Sequence, residues 1–156
     1  MKTTRSYGKK TDLTLDLWVK LSRAFAAVNK KATKDIEKYG LTEPQFGVLE
    51  CLGHLGQLSI GELTRKQLVS PGNMTVVVDN LEKGGLVKRS HEPGNRRVVK
   101  VQLTPRGVKK FEEVFFKHAQ YITHLTSVLT EKEATILAKL LKKLGLIVQQ
   151  LNHNPK

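Results

Sequence analysis

The sequence predicts a mainly α-helical fold carrying one small β-hairpin. Two observations lead to this. Apolar residues recur at three- and four-residue steps through most of the 156-residue chain, the spacing that gathers them on one face of a helix. Between residues 86 and 103 that period gives way to alternation on either side of Glu92-Pro93-Gly94-Asn95, which is turn chemistry between two paired strands.

The elements follow in order. Leu13, Leu17, Leu21, Phe25, Val28, Ala32 and Ile36 share one face of a first helix, from about Thr11 to Tyr39, that Gly40 ends. Thr42 and Gln45 form a capping box for a second helix, whose inner face is Phe46, Leu49, Leu52 and Leu55. Ser59 and Glu62 form another, opening a short helix to about Gln67 with Ile60, Leu63 and Leu68 turned inward. Ser70 caps a fourth helix with Pro71 at its first position, and Gly84-Gly85 stops it after Lys83. Leu86–His91 and Val98–Leu103 read as strands. Thr104-Pro105 begins a long fifth helix with Val108, Phe111, Phe115, His118, Ile122 and Leu125 on one face. Thr130 and Glu133 open the sixth, with Leu137, Leu140, Leu141, Leu144, Ile147, Val148 and Leu151 on a broad apolar face.

The length fits one domain of roughly 150 residues, large enough to fold without disulfides. The single cysteine, Cys51, has no internal partner, which suits a reducing cytoplasm. No signal peptide is expected from the basic, polar first ten residues, and no membrane contact from a chain without an apolar run near ~18 residues. Lys and Arg number 27 against 14 Asp and Glu, a net charge of +13, which points to a polyanionic partner, nucleic acid first. No catalytic motif stands out. His54, His91, His118, His124 and His153 show no metal-ligand spacing. Neither an enzyme, a cofactor nor a metal is therefore expected.

Two consecutive short helices followed by strand, turn and strand make the plan of a winged helix-turn-helix. In such a motif the second helix enters the major groove of double-stranded DNA N-terminus first. Here that end is small and polar. Ser70 and Gly72 allow close approach to phosphate, Asn73 suits an adenine edge, and Thr75 suits a base or a thymine methyl. Val76 adds an apolar contact, and Asn80 lies with these residues off the packing face. At the hairpin tip Asn95, Arg96 and Arg97 are placed for a narrow minor groove, with Lys88, Arg89 and Lys100 on the flanking strands near phosphate.

These residues carry a resemblance. LTEPQFGVLECL from Leu41, LSIGELTRKQLVSPGNMTVVVDNLEKGGLV from Leu58, NRRVVKVQLT from Asn95 and the following Pro105-Arg106-Gly107 resemble the MarR family of bacterial regulators. The resemblance implies a single domain over 1–156: helices at 11–39 and 105–151 for a homodimer, and a DNA-binding lobe at 41–104. It implies a transcriptional regulator, a repressor by default, that sits on a palindromic operator until a small ligand releases it. The family wing reads Asp-x-Arg; Arg97 matches the arginine, and Asn95 stands where the aspartate does. The alternative is a winged-helix protein that binds nucleic acid without regard to sequence.

The trigger is less legible. The resemblance implies a small aromatic effector between the dimer helices and the lobe, and Trp18, Phe25, Tyr39 and His118 are the residues for its pocket. Oxidation at Cys51 is the alternative trigger, although a buried packing thiol is the default reading of a lone cysteine.

Overall fold

A computed structural model describes residues 5–67, 69–92 and 95–151, with side chains outside 92–98 and 149–151. Its elements are α1 (Lys9–Glu37), α2 (Glu43–Leu55), β1 (Leu58–Ser59), α3 (Ile60–Gln67), α4 (Pro71–Lys83), β2 (Val87–Glu92), β3 (Asn95–Leu103), α5 (Pro105–Thr126) and α6 (Glu131–Leu151). The chain divides into two compact units, Met1–Tyr121 and Ile122–Lys156.

The helix starts lie where the capping residues put them. The Thr42 N–H donates to Gln45 Oε1 at 2.9 Å and the Gln45 N–H returns to Thr42 Oγ1 at 3.4 Å, closing the reciprocal box. Ser59 and Glu62 do the same, and the Ser59 N–H and hydroxyl hold the Glu62 carboxyl down at about 2. Ser70 accepts from the Asn73 N–H, with Pro71 in the first turn. Gly40 takes φ 72°, the left-handed value that ends the run after α1.

The sheet has a strand that alternation did not reveal. Leu58–Ser59, expected only as the approach to a helix, pairs antiparallel with β3 in register Leu58↔Val101 and Ser59↔Lys100. Two residues are too few for a period to show. The order is β1-β3-β2, with Val87↔Leu103, Arg89↔Val101 and His91↔Val99 joining the hairpin strands. β3 also begins three residues earlier than expected, at Asn95, where Glu92↔Asn95 pairs after an irregularity at His91/Glu92.

The root of the hairpin is tied to α5. The Thr104 N–H donates to Leu86 O at 3.0 Å, its hydroxyl donates to Gly85 O at 2.7 Å, and its oxygen accepts the Gly107 N–H at 3.0 Å. A Cβ on Gly107 would lie 1.9 Å from Leu86 O, so only glycine fits this approach.

The core lies within the first unit. Val48, Leu49, Leu63, Met74, Val78, Val101 and Val114 are fully buried, joined by Ile36, Phe46, Leu52, Leu81 and Val87. One expectation needs correction, and two others show where apolar faces stay uncovered. Leu55 is exposed rather than inward, because α2 ends there and Gly56 (φ 75°) turns the chain away. Of the α1 stripe, only Ile36 is buried; Leu13, Leu17, Phe25 and Val28 are exposed. Every described side chain of α6 is exposed, Leu137, Leu140, Leu141, Leu144, Ile147 and Val148 included. Periodicity identifies a helix face that wants cover without saying what covers it. Leu68 and the turn residues Pro93 and Gly94 lie outside the described residues.

Candidate nucleic-acid interface

Helix α4 is divided lengthwise. Met74, Val77, Val78 and Leu81 face the core at 0–7% exposure, against α2 and α3. Gly72, Asn73, Thr75, Val76 and Asn80 are exposed on the remaining surface, with Val76 at 55%. An exposed valine among polar residues has no packing partner to explain it. The Thr75 hydroxyl donates back to Pro71 O at 3.1 Å, which leaves it an acceptor oxygen and a methyl to present outward. At a Cβ on Gly72 nothing would lie within 4 Å, so backbone and neighbouring surface can approach closely there.

The flanking cations divide differently from expectation. Lys88 is exposed on β2. Arg89 is not: its Nη2 lies 2.6 Å from Asp79 Oδ1 and its Nη1 2.5 Å from Glu82 Oε2, both carboxylates on α4. Burial works against the charge on Arg89, but the hydrogen bonds to Asp79 and Glu82 outweigh it and raise its pKa. Lys100 Nζ lies 3.6 Å from Glu62. Sequence reading missed Asp79 and Glu82, although their spacing of three on one helix flank was the available signal. The backbone of the hairpin is described at Asn95, Arg96 and Arg97, and their side chains lie outside the described residues.

The proposed effector residues fall into two groups. Trp18 and Phe25 are exposed on α1 at 65% and 66%. Tyr39 is half-buried with Lys117 Nζ 5.5 Å from its ring centre. His118 has Nδ1 3.0 Å from Asp35 Oδ2 and its ring edge against Phe46 at 5.0 Å. At 1.5 Å per residue, Trp18 lies about 30 Å and Phe25 about 20 Å along α1 from its end before Tyr39, so one chain does not bring the two pairs together. A cleft of about 290 Å³ lies elsewhere, among Leu52, Gly53, Gln102, Phe111 and Glu112. Cys51 is half-buried, and Gln67 Nε2 donates to its Sγ at 3.2 Å and to Gly47 O at 3.0 Å.

A helix packed on one flank and bare on the other, followed by a hairpin sutured to its scaffold, defines a winged helix-turn-helix protein of the DNA-binding class. The MarR family model matches residues 41–99. The chain is 38% identical to the HTH-type transcriptional regulator MhqR of Bacillus subtilis (strain 168), over 92% of this chain and 99% of that protein. It is 33% identical to the HTH-type transcriptional repressor MdtR of the same organism, over 83% and 84% of the two chains. A crystal structure of mutant MarR from E. coli complexed with operator DNA superposes with a TM-score of 0.71 at 30% identity, covering 83% of this chain and 96% of that one. The chain belongs to the MarR family of HTH-type transcriptional regulators. Among the described residues no helix is long and apolar enough to cross a membrane.

Proposed function

We propose that this regulator is a repressor that binds a palindromic operator as a homodimer and leaves it when a small aromatic ligand binds. One observation carries the reading: the bare flank of α4, where Asn73, Thr75, Val76 and Asn80 are exposed opposite a fully packed face. That flank is the part of the lobe that can enter a groove without unfolding anything. Ser70 and Gly72 sit at its phosphate-facing end, Arg96 and Arg97 reach the adjacent minor groove beside Asn95, and Lys88 meets backbone phosphate. The net charge of +13 favours the same partner.

The exposed apolar faces of α1 and α6 support the homodimer. A helix with this much uncovered apolar surface gains stability by burying it against another copy, so segments 11–39 and 105–151 form the interface and 41–104 the lobe. The distance between Trp18 and Tyr39 supports it too. An effector pocket containing Trp18, Phe25, Tyr39 and His118 takes the first pair from one copy and the second from its partner. The MdtR relative is a repressor by name, which favours that sign of control. Oxidation at Cys51 is disfavoured, since its Sγ is engaged by Gln67 inside a packed α2–α3 contact.

The test is selection of binding sites from a random-sequence duplex library. A specific dimer returns a palindrome and keeps it in excess competitor DNA. Recovery of sequences with no common motif would overturn specificity and favour the sequence-independent reading.

A further inference from the structure

The geometry points to Arg89 as a positioning residue that holds the hairpin and α4 in one register, rather than a residue that touches phosphate. β2 is an edge strand, so its outward backbone groups need partners. At Arg89 the partner is α4: the Arg89 N–H donates to Glu82 Oε1 at 2.9 Å. The same carboxylate takes the guanidinium at its other oxygen, and Asp79, one turn earlier, takes the second nitrogen. Three hydrogen bonds thus run from one strand residue to two residues of one helix flank. A planar guanidinium fork fixes direction as well as distance, so rotation of α4 about its axis moves Arg89 and with it the strand that leads to Arg96 and Arg97. Arg89 also neutralises two carboxylates that stand on the flank next to exposed Thr75, where DNA phosphate would be repelled by them.

This rests on the proposed DNA-binding reading of α4. Charge and geometry make opposite forecasts for one variant, which gives the test. Asp79→Asn/Glu82→Gln removes two negative charges from a DNA-binding lobe, and charge alone forecasts tighter binding. A clamp forecasts weaker binding, by about tenfold. The probe is a duplex selected by the unaltered protein from a random library. Arg89→Lys keeps the charge but cannot span both acids, so it should bind as weakly as Arg89→Ala. In the Asp79→Asn/Glu82→Gln background, Arg89→Ala should cost little more. Melting curves for each variant report that the fold persists; the acid-side variant reads the clamp even where Arg89→Ala unfolds.

Tighter binding by the acid-side variant would overturn the clamp. So would full activity of Arg89→Lys, or an equal loss on Arg89→Ala in both backgrounds, which are the marks of a phosphate contact. If the unaltered protein selects no duplex, the DNA-binding reading itself fails before any variant is compared.

Discussion

Asp35 near the end of α1 and His118 in the middle of α5 lie 3.0 Å apart, carboxylate to ring nitrogen, although 83 residues separate them in the chain. Asp35 is only 4% exposed and also accepts from Lys38 at 3.0 Å. Two cation–ring contacts cross the same joint in opposite directions: Lys38 over Tyr121, and Lys117 over Tyr39. The seam between α1 and α5 is therefore polar at its centre and closed by long basic side chains.

The joint makes stability depend on acid. Burial opposes the ionisation of Asp35, but the hydrogen bonds from His118 and Lys38 outweigh it and hold its pKa below the ordinary 3.8. A carboxyl depressed on folding adds stability above its unfolded pKa and loses it as pH falls through the folded value. Melting temperature should fall below pH 3.8 in the unaltered protein, and Asp35→Asn should flatten that part of the curve. Asp35→Ala should cost about 1–3 kcal/mol at neutral pH, because His118 and Lys38 lose a buried partner. Identical acid profiles for the unaltered protein and Asp35→Asn would remove the joint from the account.

The second prediction concerns backbone approach. Gly107→Ala places a Cβ 1.9 Å from the Leu86 carbonyl oxygen, a contact that backbone must move to relieve. The variant should lose roughly 1–3 kcal/mol of stability by denaturant titration. Gly145→Ala, in α6 with nothing within 4 Å of the added atom, should be neutral or slightly stabilising.

Base reading should separate from phosphate binding. Asn73→Ala is expected to relax the selected motif as well as to weaken binding. Arg97→Ala should weaken binding to the selected duplex by about 1–3 kcal/mol. An unchanged motif with the Asn73 variant would strip that residue of its reading role; unchanged affinity with the Arg97 variant would do the same for the hairpin tip.

Oligomeric state tests the uncovered helices. The protein should sediment as a dimer at micromolar concentration, and Leu140→Glu or Leu144→Glu should shift it toward monomer with loss of cooperative DNA binding. Both leucines are exposed within the chain, at 57% and 42%, so these changes place no charge in the core of the monomer. A monomeric unaltered protein would contradict the interface drawn from α1 and α6.

Much of this was legible in the sequence, for identifiable reasons. Capping signals are local: Thr42, Ser59, Ser70, Thr104 and Thr130 each satisfy backbone groups within three residues, so a short stretch suffices to read them. The split of α4 into packed and bare flanks follows from its 3.6-residue period in the same way. What escaped notice depends on distant partners. β1 exists because β3 lies beside it, Arg89 is occupied because α4 returns past β2, and the partner that satisfies His118 is Asp35 on α1, 83 residues away. The stripe of α1 was legible both as a face and as more apolar surface than one small lobe covers, and it is largely exposed.

The small strand β1 has a mechanical consequence. Leu58–Ser59 occupies the edge of β3 opposite β2 at Val101 and Lys100, and α3 begins at the next residue, Ile60. Any tug on the ribbon is thus delivered to the start of α3 with no slack between. Whatever loads β3 therefore bears on α3 as well, through the two backbone-paired positions Leu58 and Ser59.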